Sequence, residues 1–362
     1  MRIRAVELLS FSIPLVRPLA TARGAIEERR GWIVKLTDER GLVGVGEAAP
    51  HPHSSAEDAA RESSRLPEIA VRVRDADVFR VREASETLAD FPRWIACGLD
   101  TALCDLEARA RGVTLAELLG GARRNDIPVN AVLEAADLDS CVDEGRRVLA
   151  AGYTHAKRKI AGDVATTAAE VRALGAAVPG LALRLDANGI WDRAEAEAAC
   201  RALAGPNVEW VEQPLESRDF EGLAALRSSV EVPIAVDESV RSPSDVEALA
   251  RERACDGVVV KLVQVGGLSV ACEVAVAAAA AGLPLAVTSG IDTGIGIAAA
   301  LSFAATVPGS LAACGLSTGS LLVGDLVRDV VRPGPWMGVP SGPGLGVELD
   351  EVACARFAVE ST

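Results

Sequence analysis

Five polar residues punctuate the middle of this 362-residue chain, each at the end of a short strand-like run: Lys159 in AKRKI, Asp186 in LALRLD, Glu212 in VEWVE, Asp237 in PIAVD and Lys261 in GVVVK. The steps between them are 27, 26, 25 and 24 residues. A strand, its return helix and two connections consume about that much chain, so the rhythm predicts consecutive βα units. Parallel strands joined this way and closed into a barrel open their C-terminal ends onto one face, where catalytic groups collect. Two lysines and three carboxylates are therefore expected around one mouth.

The alternation extends beyond these five. Strands are predicted at 127–133, 155–160, 181–186, 208–212, 233–237, 257–261, 284–289 and 310–314, with helical segments such as Arg193–Leu203, Ser242–Arg251 and Leu268–Ala281 between them. Eight parallel strands with right-handed crossovers point to a barrel. An open doubly wound sheet is the alternative, because spacing alone does not prove closure. The first part of the chain has another grammar. Ile3–Ile13, Gly31–Thr37 and Gly41–Glu47 read as antiparallel strands, with a long loop at 17–29, either packing or a lid, and a helical stretch from about Ser55 to Leu119 ended by Gly120 and Gly121. Strands followed by helices make an α+β unit. The expected divisions are 1–122, 123–330 and a Pro/Gly-rich tail, 331–362, that folds back onto the first unit.

Composition narrows the partners. With 37 basic against 51 acidic residues the formal charge is −14, which argues against a nucleic-acid partner. The apolar stretch Val270–Val287 is broken by Glu273, Gly282 and Pro284, short of the roughly 18 residues of a membrane span. The opening MRIRAVELL lacks the apolar core of a signal peptide, and the eight cysteines include no CxxC. Buried free thiols in a reducing cytoplasm are the expectation. The composition is compatible with a homo-oligomer.

Three convergent carboxylates repel one another, so positive charge belongs among Asp186, Glu212 and Asp237. All-oxygen donors favour a hard cation, Mg²⁺ above all. The plainer account makes each of them a turn residue or helix cap. Lys157 and Lys159 share one strand face, with His155 a step deeper. Crowding by Lys157, Lys261, Arg184 and a cation would lower the Lys159 ammonium toward a usable base, while Lys157 could equally be a structural partner of the carboxylates. Arg158 should face the helices. Opposed lysines with a metal between them suit removal of a proton beside a carboxylate, whose enediolate must be neutralised as it forms.

The segments KRK (157–159), LDAN (185–188), VEQP (211–214), VDES (236–239) and VVVKL (258–262) together resemble the enolase superfamily, in its muconate lactonizing subgroup, over essentially the whole chain. GVGEAAP (44–50) is similar to a strand of that family's capping domain. TSGIDTGIG (288–296) and CGLSTGSLL (314–322) most resemble the o-succinylbenzoate synthase family. The resemblance implies an α/β fold, a modified (β/α)7β TIM-type barrel, with an N-terminal α+β capping domain completed by the C-terminal tail. It implies Mg²⁺ held by Asp186, Glu212 and Asp237, Lys159 as base, Lys261 as electrostatic partner, and Asn188 and Glu238 supporting the ligands. The loop 17–29 with Ser289 and Gly290 would meet a small carboxylate substrate. The implied reaction is a dehydration to o-succinylbenzoate in menaquinone biosynthesis. The rivals are N-succinylamino acid racemase or dipeptide epimerase chemistry with the same lysines, and a non-catalytic barrel that binds a dicarboxylate. Against the epimerase, GLST (315–318) stands where a DxD pattern is expected.

Other motifs carry less. VGGLS (265–269) reads as a tight turn rather than an anion site, HPH (51–53) as a rim of the mouth, and no GxSxG or Ser-His-Asp set is present.

Overall fold

The computed structural model describes residues 1–21, 24–52, 54–83, 88–135, 137–160 and 163–359. Strands β1 (Ile3–Thr21), β2 (Gly24–Asp38) and β3 (Val43–Ala48) form an antiparallel sheet in the order β1-β2-β3. This sheet packs on the helix Arg93–Arg111 at very short range. A Cβ at Gly44 would lie 2.4 Å from the carbonyl oxygen of Ala102, and one at Gly46 would lie 2.0 Å from that of Gly98. The glycines of GVGEAAP thus let strand and helix backbones touch.

The 17–29 loop expectation is corrected. β1 and β2 continue as a paired hairpin, with Leu19 opposite Ile26 and Thr21 opposite Gly24. The alternation of small and apolar residues there satisfies strand pairing as well as it suggests a loop. Residues 22 and 23 lie outside the described residues. The hairpin reaches the barrel mouth, since Arg17 pairs with Glu134 and Leu15 bridges Leu322.

A second sheet is wholly parallel, in the order β11-β10-β9-β8-β7-β6-β5. Its members are β5 (Ala131–Leu133), β6 (His155–Lys159), β7 (Ala182–Asp186), β8 (Val208–Glu212), β9 (Ile234–Val236), β10 (Gly257–Val260) and β11 (Leu285–Val287). The ring closes through 310–315. Leu285 bridges Leu311, Thr288 bridges Gly315, and Val129 bridges Cys314, all parallel. The eighth position is therefore held by bridges rather than a full strand, and the open-sheet alternative falls away. The fold is α/β, a TIM-type barrel with an N-terminal capping unit.

Strand alternation sorts side chains between two layers. Val211, Val236, Val258 and Val260 face the helices in the main core, while Trp210, Ala235, Val259 and Ala286 fill the barrel interior as a separate cluster. The return helices start where the sequence supplies caps. Asp137, Asp163, Asp192, Asp219 and Ser242 each accept a backbone N–H of the first turn.

The tail joins both units. β4 (Asp126–Pro128) pairs antiparallel with β12 (Trp336–Gly338). Arg109 then donates to the Val347 carbonyl at 2.9 Å, and Ala358 bridges Phe11 of β1. None of the eight cysteines forms a disulfide among the described residues, and six of them are buried. Among the described residues no helix is long and apolar enough to cross a membrane.

Candidate active site

Register brings the predicted groups together. In the β6–β7–β8 ladder Lys159 is opposite Asp186, which is opposite Glu212. Asp237 lies two residues beyond Ala235, the partner of Glu212. Parallel neighbours in register point the same way, so three adjacent strands deliver their carboxylates to one end of the barrel.

There the carboxylates are divided between two lysines. Lys157 Nζ lies 2.8 Å from Asp186 Oδ2 and 2.7 Å from Glu212 Oε1. Lys261 pairs with Asp237 Oδ2. Among the described residues Lys159 makes no ion pair, and its side chain opens to the mouth. The electrostatics separate the three amines. Burial alone would lower Lys157, but Asp186 and Glu212 hold it well above the ordinary lysine value; Asp237 and Glu238 do the same for Lys261. Lys159 is lowered chiefly by the desolvating walls of the recess; the pull of Asp186 opposes this, and repulsion from Lys157 and Lys261 adds to the lowering. A side chain can be open to water at its tip and still lose most of its hydration inside such a recess.

The carboxylates differ as well. Burial pushes Glu212 up to about 7 although Lys157 opposes it, with Asp186 and Asp237 adding to the rise. Asp186 resists burial and stays below the usual range because Lys157 and Lys159 flank it. Asp237 Oδ1 and Glu238 Oε2 are buried without a partner. As they stand, no three Asp, Glu, His or Cys side chains among the described residues are gathered closely enough to enclose an ion. The donor chemistry nevertheless fits a hard cation: all the atoms are oxygens, one ligand candidate is orphaned, and Lys157 and Lys261 stand where positive charge is required.

Supporting residues fix this arrangement. Asn188 lies in the left-handed region (φ 49°), its N–H donating to Asp186 Oδ1 at 3.0 Å and its amide donating to Glu238 Oε1 at 3.3 Å. Two glutamines escaped the sequence reading. Gln213 Oε1 accepts from the N–H groups of Asp237 and Ser239, at 3.0 and 3.2 Å, and Gln264 donates to the Asp237 carbonyl at 2.7 Å. The available signal for Gln213 was a fully buried amide inside VEQP, which must find partners.

Arg184 requires correction. It does not crowd the mouth lysines; it lies 2% exposed in the barrel floor, with Nε 2.6 Å from Glu209 Oε2 and its guanidinium 4.0 Å from the Trp210 ring centre. Two residues along a strand move a side chain about one pleat deeper, and Glu209 waits there. His155 is at the same end, 3.7 Å from Glu209. A cavity of about 510 Å³ opens at this N-terminal end of the strands, away from the lysines.

Ser289 and Gly290 follow β11. Ser289 Oγ is 2.5 Å from Thr318 Oγ1, and the Gly290 N–H donates to Asp292 Oδ1 at 3.2 Å. Arg158 faces outward onto Glu170 (2.7 and 2.8 Å), as expected. The N-terminus of Leu268–Ala280 is met by the chain's own Asp100, which accepts from Ser269 N at 2.9 Å. His53 of HPH lies outside the described residues.

The chain as a whole is similar to known proteins. Residues 4–120 match the mandelate racemase/muconate lactonizing enzyme N-terminal domain, and residues 140–353 match the enolase C-terminal domain-like family. Muconate cycloisomerase 1 of Rhodococcus opacus is 32% identical, over 96% of this chain and 95% of its own. N-succinyl-L-Arg/Lys racemase of Bacillus cereus is 25% identical over 99% and 98%. Among solved structures, muconate lactonizing enzyme from Pseudomonas fluorescens, complexed with muconolactone, superposes with TM-score 0.91 at 27% identity, covering 99% of both chains. The dipeptide epimerase of Enterococcus faecalis, complexed with Mg and L-Leu-L-Tyr, gives 0.89 at 27% identity, covering 96% of this chain and 100% of its own.

Proposed function

This chain belongs to the enolase superfamily, in the mandelate racemase/muconate lactonizing enzyme family, and on that premise we propose that it is an o-succinylbenzoate synthase-type hydro-lyase. It would convert 2-succinyl-6-hydroxy-2,4-cyclohexadiene-1-carboxylate to o-succinylbenzoate, a step toward menaquinone. The observation that carries the reading is the division among the lysines: two are committed to carboxylates, and one, Lys159, makes no ion pair among the described residues and is lowered toward a base.

Neutral Lys159 takes the proton beside the substrate carboxylate. Lys261, held charged by Asp237 and Glu238, stabilises the negative charge that develops. The resulting Lys159 ammonium then returns its proton to the departing hydroxyl, so that one water leaves and the ring becomes aromatic. Asp186, Glu212 and Asp237 would hold Mg²⁺, which when bound supplies further neutralisation of the substrate carboxylate. Gln213 and Gln264 keep Asp237 in place through its backbone. The segment 315–318 presents Ser317 and Thr318 rather than carboxylates, which suits a succinyl group better than a free ammonium and weighs against dipeptide epimerisation.

A second reading, N-succinylamino acid racemisation, draws support from the B. cereus relative and from lysines on opposite strands, the second and sixth of the barrel. The deciding experiment offers the synthase substrate, N-succinylamino acids in D₂O and cis,cis-muconate to the protein with Mg²⁺, with and without chelator. Synthase product is expected, lost with chelator and in Lys159→Ala. Deuterium at the α-carbon of N-succinylamino acids without synthase product would transfer the assignment to the racemase, and turnover surviving in Lys159→Ala would remove the assigned base.

A further inference from the structure

A second buried charged cluster lies beside the mouth, near enough that Lys261 acts on its Asp292. Arg29 of β2 is 3% exposed, Glu47 of β3 is 7% exposed, and Asp292 follows the seventh-strand turn with its side chain 15% exposed. Arg29 Nη2 is 3.8 Å from Asp292 Oδ1 and also donates to the Ala49 carbonyl at 3.3 Å, while Nη1 donates to the Pro50 carbonyl. Asp292 Oδ1 accepts the Gly290 N–H. Glu47 Oε2 accepts from Thr293 N at 2.9 Å, Thr293 Oγ1 at 2.6 Å and Gly296 N at 3.3 Å. Between Gly290 and Asp292, Ile291 takes φ 67°, a conformation that a β-branched residue holds only when its surroundings impose it.

The cluster therefore ties three separate pieces of chain: the hairpin that reaches the mouth, the GEAAP strand, and the turn carrying Ser289 and Gly290. Burying two carboxylates around one guanidinium is expensive, and apolar packing would join the units more cheaply. What the charges add is direction. Glu47 and Asp292 accept backbone N–H groups of the turn, the hydrogen bonds of Arg29 hold the Ala49 and Pro50 carbonyls, and its ion pair with Asp292 links the hairpin to the turn.

We propose that Arg29 and Asp292 are positioning residues that lock the Ser289–Gly290 turn to the capping hairpin, so that the substrate-facing turn and the arm across the mouth keep one mutual geometry. The substrate-facing part of this statement rests on the reading given under Proposed function; the mechanical coupling does not.

The test is amide hydrogen exchange without substrate, followed in peptides spanning 14–30, 286–296 and, as a control, 93–111, for the wild type, Arg29→Gln, Asp292→Asn and the double variant. Each single change should accelerate exchange in both of the first two segments by about tenfold and leave 93–111 unaltered, with the double variant no faster than either single one. Exchange at 286–296 unmoved by Arg29→Gln, or effects that multiply in the double variant, would overturn the coupling. Should Arg29→Gln lose protection in 93–111 as well, Arg29→Lys replaces it under the same criteria. With whichever substrate turns over, Asp292→Asn should raise KM about tenfold while kcat falls less than about threefold, and Asp292→Glu should recover part of KM. A fall in kcat with KM unchanged would refute the positioning role. Absence of turnover by the wild type would count against the proposed reaction alone, because the exchange data need no substrate.

Discussion

Lys261 pairs with one oxygen of Asp237 and leaves the other, Oδ1, buried without a partner. A buried carboxylate oxygen with no donor is costly, and a cation would relieve it. Adding Mg²⁺ at a hundredfold excess over Kd should stabilise the fold by about 2.7 kcal/mol. Thermal denaturation with and without chelator measures this. An identical Tm shift in Asp237→Asn would show that the ion binds elsewhere.

Lys159→Ala should cut turnover by about 10²–10⁴-fold, the contribution of the missing acid–base group. Its Tm should stay close to that of the wild type, because the side chain makes no ion pair among the described residues. Steady-state kinetics beside a melting curve separates this outcome from simple misfolding.

Lys157→Met should behave in the opposite way. Asp186 and Glu212 lose their shared partner, a change that costs about 3–5 kcal/mol when a buried charge is left uncompensated. Chemical denaturation should show that loss in chelator and a smaller one in Mg²⁺. Equal losses under both conditions would mean that no cation shares these carboxylates.

Glu47 gives a pH signature. Burial, reinforced by Asp292 and opposed by Arg29, raises its carboxyl to about 7. A raised acid holds its proton more tightly in the folded state, so its contribution is complete below the ordinary value near 4.5 and is lost as pH climbs through about 7. The expected decline is on the order of 3 kcal/mol. Glu47→Gln should flatten the stability profile over that window and be the more stable protein at pH 8. Parallel profiles for the two proteins would contradict this.

Gly46→Ala should destabilise the capping unit by more than an ordinary surface change, on the order of 1–3 kcal/mol or above. Its Cβ would meet the Gly98 carbonyl at 2.0 Å, and backbone on both sides leaves little room to yield. Urea denaturation of this single variant is sufficient to check it.

Much of the barrel was legible because βα repetition writes itself into spacing. The strand ends at Lys159, Asp186 and Glu212 stand where their intervals placed them, and the capping aspartates mark the helices that follow. The hairpin was not legible: RPLATARGAIEER carries small residues that suit a loop, and only its cross-strand partners make it a strand. Arg184 was misplaced because alternation gives a side chain's face but not its depth, and Glu209 and Trp210, which hold it in the floor, come from a neighbouring strand. Gln213, Gln264 and the Arg29–Glu47–Asp292 cluster were overlooked for a related reason, since their partners lie far off in the chain or on other elements.

The sequence by itself determined which strand ends carry acid and which carry amine, because a two-residue side-chain period and a regular βα interval are local properties of the chain. The tertiary structure alone decided that Lys157 and Lys261 would pair with carboxylates while Lys159 has no ion-pair partner among the described residues. That choice depends on the distances between neighbouring strands and on how much water the closed ring excludes, and neither exists until the strands are side by side.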